Sequence, residues 1–157
     1  MQKPDPKVLA EWALFGGLSR GGLELFADLA DTIEVAKGKA VFSEGDLGQD
    51  IFVVVEGSFG VFRTREGIEK RLAVLQRGEF FGEMSFIDMQ PRAGTVRAEE
   101  DAVLWRWSYG AVRSSYQADP KSYTLLVMNI AREISRRLRR ADEVIMNGLD
   151  APTAAAG

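Results

Sequence analysis

Phe81-Gly82-Glu83-Met84-Ser85-Phe86, leading into Arg92-Ala93-Gly94-Thr95-Val96, is the stretch on which the reading of this chain turns. Its parts are those of an anion clamp. Gly82 permits close approach of the backbone, and a short turn of helix beyond it aims amides outward. Arg92, nine residues after Glu83, supplies a permanent positive charge. Glu83 would repel a phosphate, but a carboxylate accepts hydrogen bonds from the hydroxyls of a sugar attached to one. These residue types at this spacing imply a sugar phosphate, the core of a nucleotide.

On either side of the clamp, from Asp31 to Ser108, short apolar or β-branched runs alternate with turn residues. Strands are expected over Thr32–Ala36, Ala40–Ser43, Ile51–Glu56, Phe59–Arg65, Leu72–Leu75, Thr95–Ala98 and Val103–Trp107. Breakers fall at Gly38, Gly45-Asp46, Gly57-Ser58, Gly67 and Gly78, a spacing of roughly ten residues that suits an antiparallel β jelly roll. Trp105 and Trp107 alternate with Leu104 and Arg106, so both rings share one face of the last strand and read as core.

Helices flank this β region. Pro6 opens a short helix reaching Phe15 and stopped by Gly16-Gly17, and Leu25, Phe26 and Leu29 mark a second one over Gly22–Leu29. Ser108 caps a helix running to about Gln117. Asp119-Pro120 then starts a long one to about Met146, with Gly148 as its stop. Leu126, Ile130, Ile134, Leu138, Ala141 and Ile145 recur along it at steps of three and four, a stripe that calls for a partner. The fold class is therefore α+β and mainly β: a jelly roll with short N-terminal helices, a short helix in the clamp and a long C-terminal helix. One domain over residues 1–147 is expected, with helices at 7–30, the jelly roll at 31–108, helices at 109–147 and a disordered tail at 148–157.

The totals limit the chemistry. With no His and no Cys, the chain lacks the residues for disulfides, thiolate metal sites and imidazole-dependent catalysis, so an enzyme is not expected and no metal is assigned. Twenty basic against 23 acidic residues leave a net charge of -3, which does not suit a nucleic-acid binder as a whole. The polar N-terminus and the lack of any long apolar run point to a cytoplasmic protein without a membrane segment.

In this order of elements, with Phe42-Ser43-Glu44-Gly45-Asp46, Gly57, Gly78-Glu79-Phe80-Phe81-Gly82-Glu83 and Pro91-Arg92-Ala93-Gly94-Thr95-Val96, the chain resembles the cyclic nucleotide-binding domain family over nearly its whole length. The resemblance implies that Gly82 approaches the ribose and that Glu83 accepts from its 2′-hydroxyl. Met84 and Ser85 would begin the short helix facing the cyclic phosphate, and Arg92 would pair with an exocyclic oxygen, aided by the Ala93 amide. Val61, Leu72, Ala73 and Phe81 fall where similar domains provide apolar walls, although ordinary core is an equal reading of each. In the family a Thr or Ser hydroxyl after the arginine can bond the guanine amino group, so Ala93 implies cyclic AMP over cyclic GMP. Two departures stand out: Gly94 occupies a position where Ala or Ser is commoner, and Ala141-Asp142 lies where dimeric transcription factors of the catabolite activator type reach the adenine with Thr-Ser.

The expected function is a free-standing cyclic nucleotide receptor that dimerises through its final helix and signals to a separate effector protein, with no helix-turn-helix of its own. The alternative is a protein-interaction module in which the clamp is vestigial and an Arg92–Glu83 salt bridge replaces the ligand. Arg132, Arg136, Arg137, Arg139 and Arg140 make the final helix basic, either as a solvated face or as a surface for an acidic partner. On this reading Arg92→Ala abolishes the ligand response and leaves the unliganded fold nearly as stable.

Overall fold

The burial pattern of one strand accounts for the layering. In Ile51–Glu56 (β3) four successive residues, Ile51 to Val54, are buried, so both faces of the strand are covered. Ile51 and Val53 face a helical layer, whereas Phe52 and Val54 face a second sheet. The computed structural model describes residues 3–150. Its eight strands are β1 (Asp31–Val35), β2 (Ala40–Phe42), β3, β4 (Phe59–Arg65), β5 (Ile68–Leu75), β6 (Phe80–Phe81), β7 (Thr95–Ala98) and β8 (Ala102–Trp107). They form two four-stranded antiparallel sheets, ordered β1-β8-β3-β6 and β2-β7-β4-β5.

Phe52, Val54, Phe59, Phe81, Val96 and Leu104 fill the space between the sheets, with Phe52 and Phe81 stacked at 5.1 Å. Helices cover the outer face of the first sheet: α1 (Pro6–Leu9), a 3₁₀ turn at Ala13–Phe15, α2 (Arg20–Leu29), α4 (Tyr109–Ala118) and the first half of α5 (Pro120–Asp150). Both tryptophans of β8 face this layer, as the strand period requires. Trp107 donates from Nε1 to the Phe26 carbonyl at 2.8 Å, and Trp105 packs on Trp12. Asn129 of α5 donates to the carbonyls of Leu14 and Gly16, which fastens the long helix to the N-terminal segment.

Local structure differs from the sequence expectation at four places. The first expected helix is broken into α1 and the 3₁₀ turn, because Trp12 adopts an extended conformation and turns its ring onto Trp105. Strand β5 starts at Ile68 rather than Leu72; its charged residues are legible as strand only through pairing with β4, and Glu69 meets Arg97 across the sheet. The two-residue β6 carries no pattern of its own and exists because Phe80 and Phe81 pair with Val53 and Phe52. Helix α5 passes through Gly148 and extends to Asp150, while positions 151–157 of the expected tail lie outside the described residues. No helix among the described residues is long and apolar enough to cross a membrane.

Trp107→Phe keeps an aromatic ring but leaves the Phe26 carbonyl unpaired inside the helical layer. Chemical denaturation should show a loss of about 2 kcal/mol, from one orphaned buried acceptor and the vacated ring volume.

Candidate functional site

A cavity of about 270 Å³ opens where the β4–β5 hairpin, the N-terminus of α3 (Glu83–Asp88) and α5 converge. Ten of the eleven residues singled out from sequence line it: Val61, Leu72, Phe81, Gly82, Glu83, Met84, Ser85, Arg92, Ala93 and Gly94. Ala73 does not; it pairs with Val61, and the bulge between the Val61–Ala73 and Phe62–Arg71 pairs leaves Leu72 as the extra residue that lines the cavity. Phe42, Arg63, Leu75, Val96 and Arg137 complete the lining and were not foreseen as site residues. For Leu75 and Val96 the strand pattern was a signal. Arg137 had none, since 54 residues separate it from Glu83 and it reads as one charge among five on a basic helix.

Gly82 holds the site in shape. Its φ of 85° is left-handed, and a Cβ there would lie 2.5 Å from the Asp50 carbonyl oxygen and 2.9 Å from Nη1 of Arg92. No other residue fits. The backbone can then deliver its carbonyl to Arg92, whose Nη1 donates to it at 2.9 Å while Nη2 donates to the Asp50 carbonyl at 3.0 Å. Arg92 is 5% exposed, and its guanidinium carbon lies 4.2 Å from the centre of the Phe42 ring. Its own backbone is tied to the preceding loop, with the Arg92 amide donating to the Asp46 carbonyl and the Gly45 amide to the Arg92 carbonyl. Burial pulls Arg92 below its ordinary value, opposed by Asp50, Glu83 and Asp46, yet an arginine so placed keeps its charge.

This bonding corrects the expectation that Arg92→Ala would leave the unliganded fold nearly unchanged. Removing the guanidinium strands two carbonyl groups and empties the face of Phe42. Gly94 is also explained: a Cβ there would lie 2.8 Å from the Phe62 carbonyl oxygen, so close pairing of β7 with β4 excludes the Ala or Ser expected by resemblance.

Glu83 is 2% exposed, and its partner is Arg137 rather than Arg92. Nη1 of Arg137 donates to Glu83 Oε1 at 2.7 Å, Nη2 to the Phe80 carbonyl at 2.7 Å, and Nε to Glu133 at 3.1 Å. Burial pushes the Glu83 carboxyl above its ordinary value, and Arg137 opposes that shift. The cavity thus combines a buried cation, a helix start carrying Met84 and Ser85, a buried carboxylate and apolar walls. Such a set can hold an anionic group at one end and a hydroxyl donor at the other.

Residues 32–119 match the cyclic nucleotide-binding domain family. The chain is 37% identical over 130 residues to the cyclic AMP receptor protein of Thermus thermophilus, covering 82% of this chain and 58% of that protein. It is also 37% identical over 92 residues to a cAMP-dependent protein kinase regulatory subunit of Mycosarcoma maydis, covering 59% of this chain and 18% of the subunit. The chain therefore spans little more than half of the first relative and about a fifth of the second. Among solved structures, the Thermus thermophilus catabolite activator protein superposes with a TM-score of 0.75 at 34% identity, over 85% of this chain and 61% of that one. A cyclic nucleotide-binding domain from Methylobacillus flagellatus shares the fold with a TM-score of 0.81 at 20% identity, over 90% and 80% of the two chains.

Removing the Arg137 cation should isolate the cost of burying Glu83. Arg137→Leu is expected to lower stability at neutral pH by about 2 kcal/mol, a value reduced from that of a fully buried pair because Arg137 is partly exposed. The sign follows from the raised carboxyl. The unfolded chain releases the Glu83 proton more readily, so the penalty is present above the folded-state pKa and fades as pH falls through it. Thermal melts of Arg137→Leu between neutral and mildly acidic pH check this; a loss that did not change with pH would contradict it.

Proposed function

The chain belongs to the cyclic nucleotide-binding domain family, and from that membership we propose that it is a cytoplasmic receptor for cyclic AMP, a regulatory module without catalytic activity of its own. The observation that carries the reading is the convergence of Arg92, Glu83 and the start of α3 on one cavity. A cyclic phosphate carries one negative charge and has no ionisable proton near neutrality. One buried guanidinium and the first amides of a helix match it without a metal. The ribose hydroxyl then donates to Glu83, with Gly82 allowing close approach of the sugar. Val61, Leu72 and Phe81 supply apolar contacts to the rest of the nucleotide.

Preference for adenine follows from what Ala93 lacks. Its methyl group cannot accept from the guanine amino group, and the nearby Thr95 hydroxyl already accepts from the Glu44 amide at 2.9 Å. Guanine would leave a buried donor unpaired.

Signalling would run through Glu83. This carboxylate is held by Arg137 of α5, so a sugar hydroxyl donating to Glu83 would share its bonding with a residue on the long helix. The nucleotide then favours the arrangement of α5 in which both demands on Glu83 are met, a shift of population between two packings. We assign the output to a homodimer formed through α5 and to an effector protein that reads its position.

The second reading, an interaction module without a ligand, is favoured by one observation: Arg92 and Glu83 each have partners within the chain. Calorimetric titration with cyclic AMP, cyclic GMP and 5′-AMP separates the two readings. The receptor reading expects cyclic AMP to bind most tightly, and at ~100 times its dissociation constant to raise stability by about 2.7 kcal/mol. In Arg92→Ala the unliganded melt should fall and the increment due to nucleotide should vanish. No heat and no shift with any of the three nucleotides would leave the interaction module as the function.

A further inference from the structure

The β4–β5 hairpin reaches past the sheet that carries it. Pairing of β4 with β7 ends at Phe62, whereas β4 and β5 stay paired through Arg63–Lys70 and Thr64–Glu69 to Arg65–Ile68 at the tip. The tip is therefore a two-stranded ribbon, an arrangement that is marginal in water without further cover. β5 is also the last strand of its sheet, so its outer edge has no neighbouring strand among the described residues.

The two faces of the ribbon differ in charge. On one face Arg71 meets Glu99 at 2.6 Å and Arg97 of β7 meets Glu69 at 2.9 Å, so each cation has a carboxylate. The other face carries Arg63, Arg65 and Lys70, with Arg63 directly opposite Lys70. Like charges so placed repel. Glu44 stands 3.7 Å from Arg63, and neither Arg65 nor Lys70 has an ion-pair partner among the described residues. Ile68 and Leu72 lie among these cations, 61% and 60% exposed, and the whole face lines a hollow of about 670 Å³.

These features select the occupant. Along this face of β5 the order Ile68, Lys70, Leu72 is apolar, basic, apolar, and a strand laid beside it is matched by apolar, acidic and apolar residues. A second copy adding its own β5 would set cations against cations. The chain's acidic run is also engaged elsewhere: Glu99 holds Arg71, Glu100 accepts from the Ser58 hydroxyl and Asp101 from the Lys37 amide. A nucleic acid would leave Ile68 and Leu72 uncovered, and this face offers no aromatic ring on which a base could stack.

We propose that β5 is the docking edge for an extended acidic segment of a partner protein, added as a further strand with carboxylates facing Arg63, Arg65 and Lys70 and apolar side chains on Ile68 and Leu72. Arg63 and Leu72 also line the nucleotide cavity, so the docked segment and a bound nucleotide share two walls. A nucleotide packed on Leu72 fixes the base of the ribbon. The segment then loses less freedom on docking, and each ligand tightens the other by the same factor. The docking edge stands on the ribbon alone, whereas this coupling rests on the receptor reading above.

The probe is a fluorescent peptide with Leu, Glu and Leu at alternate positions of an extended sequence, titrated into the full chain and followed by anisotropy. It should bind, its counterpart with Lys in place of Glu should not, and its affinity should fall as salt is added. Arg65→Glu and Lys70→Glu should each weaken the peptide about ten-fold and Ile68→Ser about five-fold, with thermal melts and cyclic AMP affinity unchanged in the absence of peptide. Arg20→Glu, the same change of charge on α2, should have no effect. Saturating cyclic AMP should tighten the peptide about five-fold. Equal binding of the two peptides, or wild-type affinity in the Arg65 and Lys70 variants, overturns the docking edge. So does a loss of self-association in those variants, which would assign the ribbon to a second copy, or a preference of the same residues for duplex DNA or phosphatidylglycerol vesicles over the peptide. Peptide affinity that cyclic AMP leaves unaltered, where calorimetry finds the nucleotide bound, overturns the coupling alone. Peptide binding by a chain that takes up no nucleotide sustains the docking edge and defeats the receptor reading.

Discussion

A guanidinium enclosed between two sheets must have acceptors, and in this chain they are backbone carbonyls that only a distorted loop can present. Arg92 draws the Gly82 and Asp50 carbonyls toward one centre, and the Phe42 ring covers its flat face. The left-handed turn at Gly82, the start of α3 immediately after it and the cross-bonding of the Arg92 backbone to Gly45 and Asp46 are arranged around that cation. The chain's own groups therefore hold the site's donors in orientation.

The second buried charge is handled differently. Glu83 has its counter-ion on a helix that begins 37 residues later in the chain and belongs to another layer. Burial raises the pKa of this carboxyl and Arg137 opposes the shift, so the cavity and the helix are tied by one ion pair. The first half of α5 is anchored by Leu126, Ile130 and the two carbonyl bonds of Asn129. The second half is exposed among the described residues. Arg137 stands close to where one condition gives way to the other.

How much could be read in advance differs by kind of residue. The seven expected strands, the caps at Ser108 and Asp119 and the inward faces of Trp105 and Trp107 depend on alternation and on turn or capping residues, all of them properties of neighbouring positions. The clamp from Phe81 to Phe86 and from Arg92 to Val96 was legible because its chemistry is compressed into a few residues. By contrast, β6 and the first residues of β5 are strands only through their partners, and the bulge that puts Leu72 but not Ala73 on the cavity lining is set by pairing with β4, which residue type does not reveal.

The amino-acid sequence by itself determined the class of fold and which residues make up the candidate clamp, since hydrophobic period, glycine placement and the nine-residue spacing of Arg92 from Glu83 are features of short stretches. Only the tertiary structure decided how the clamp is wired. That Arg92 is held by two carbonyl groups, that Glu83 answers to Arg137, and that Gly94 has no room for a Cβ all follow from segments far apart in the chain being packed together. A buried charge takes whichever partner the packing brings within hydrogen-bond reach, and separation along the chain does not reveal that partner.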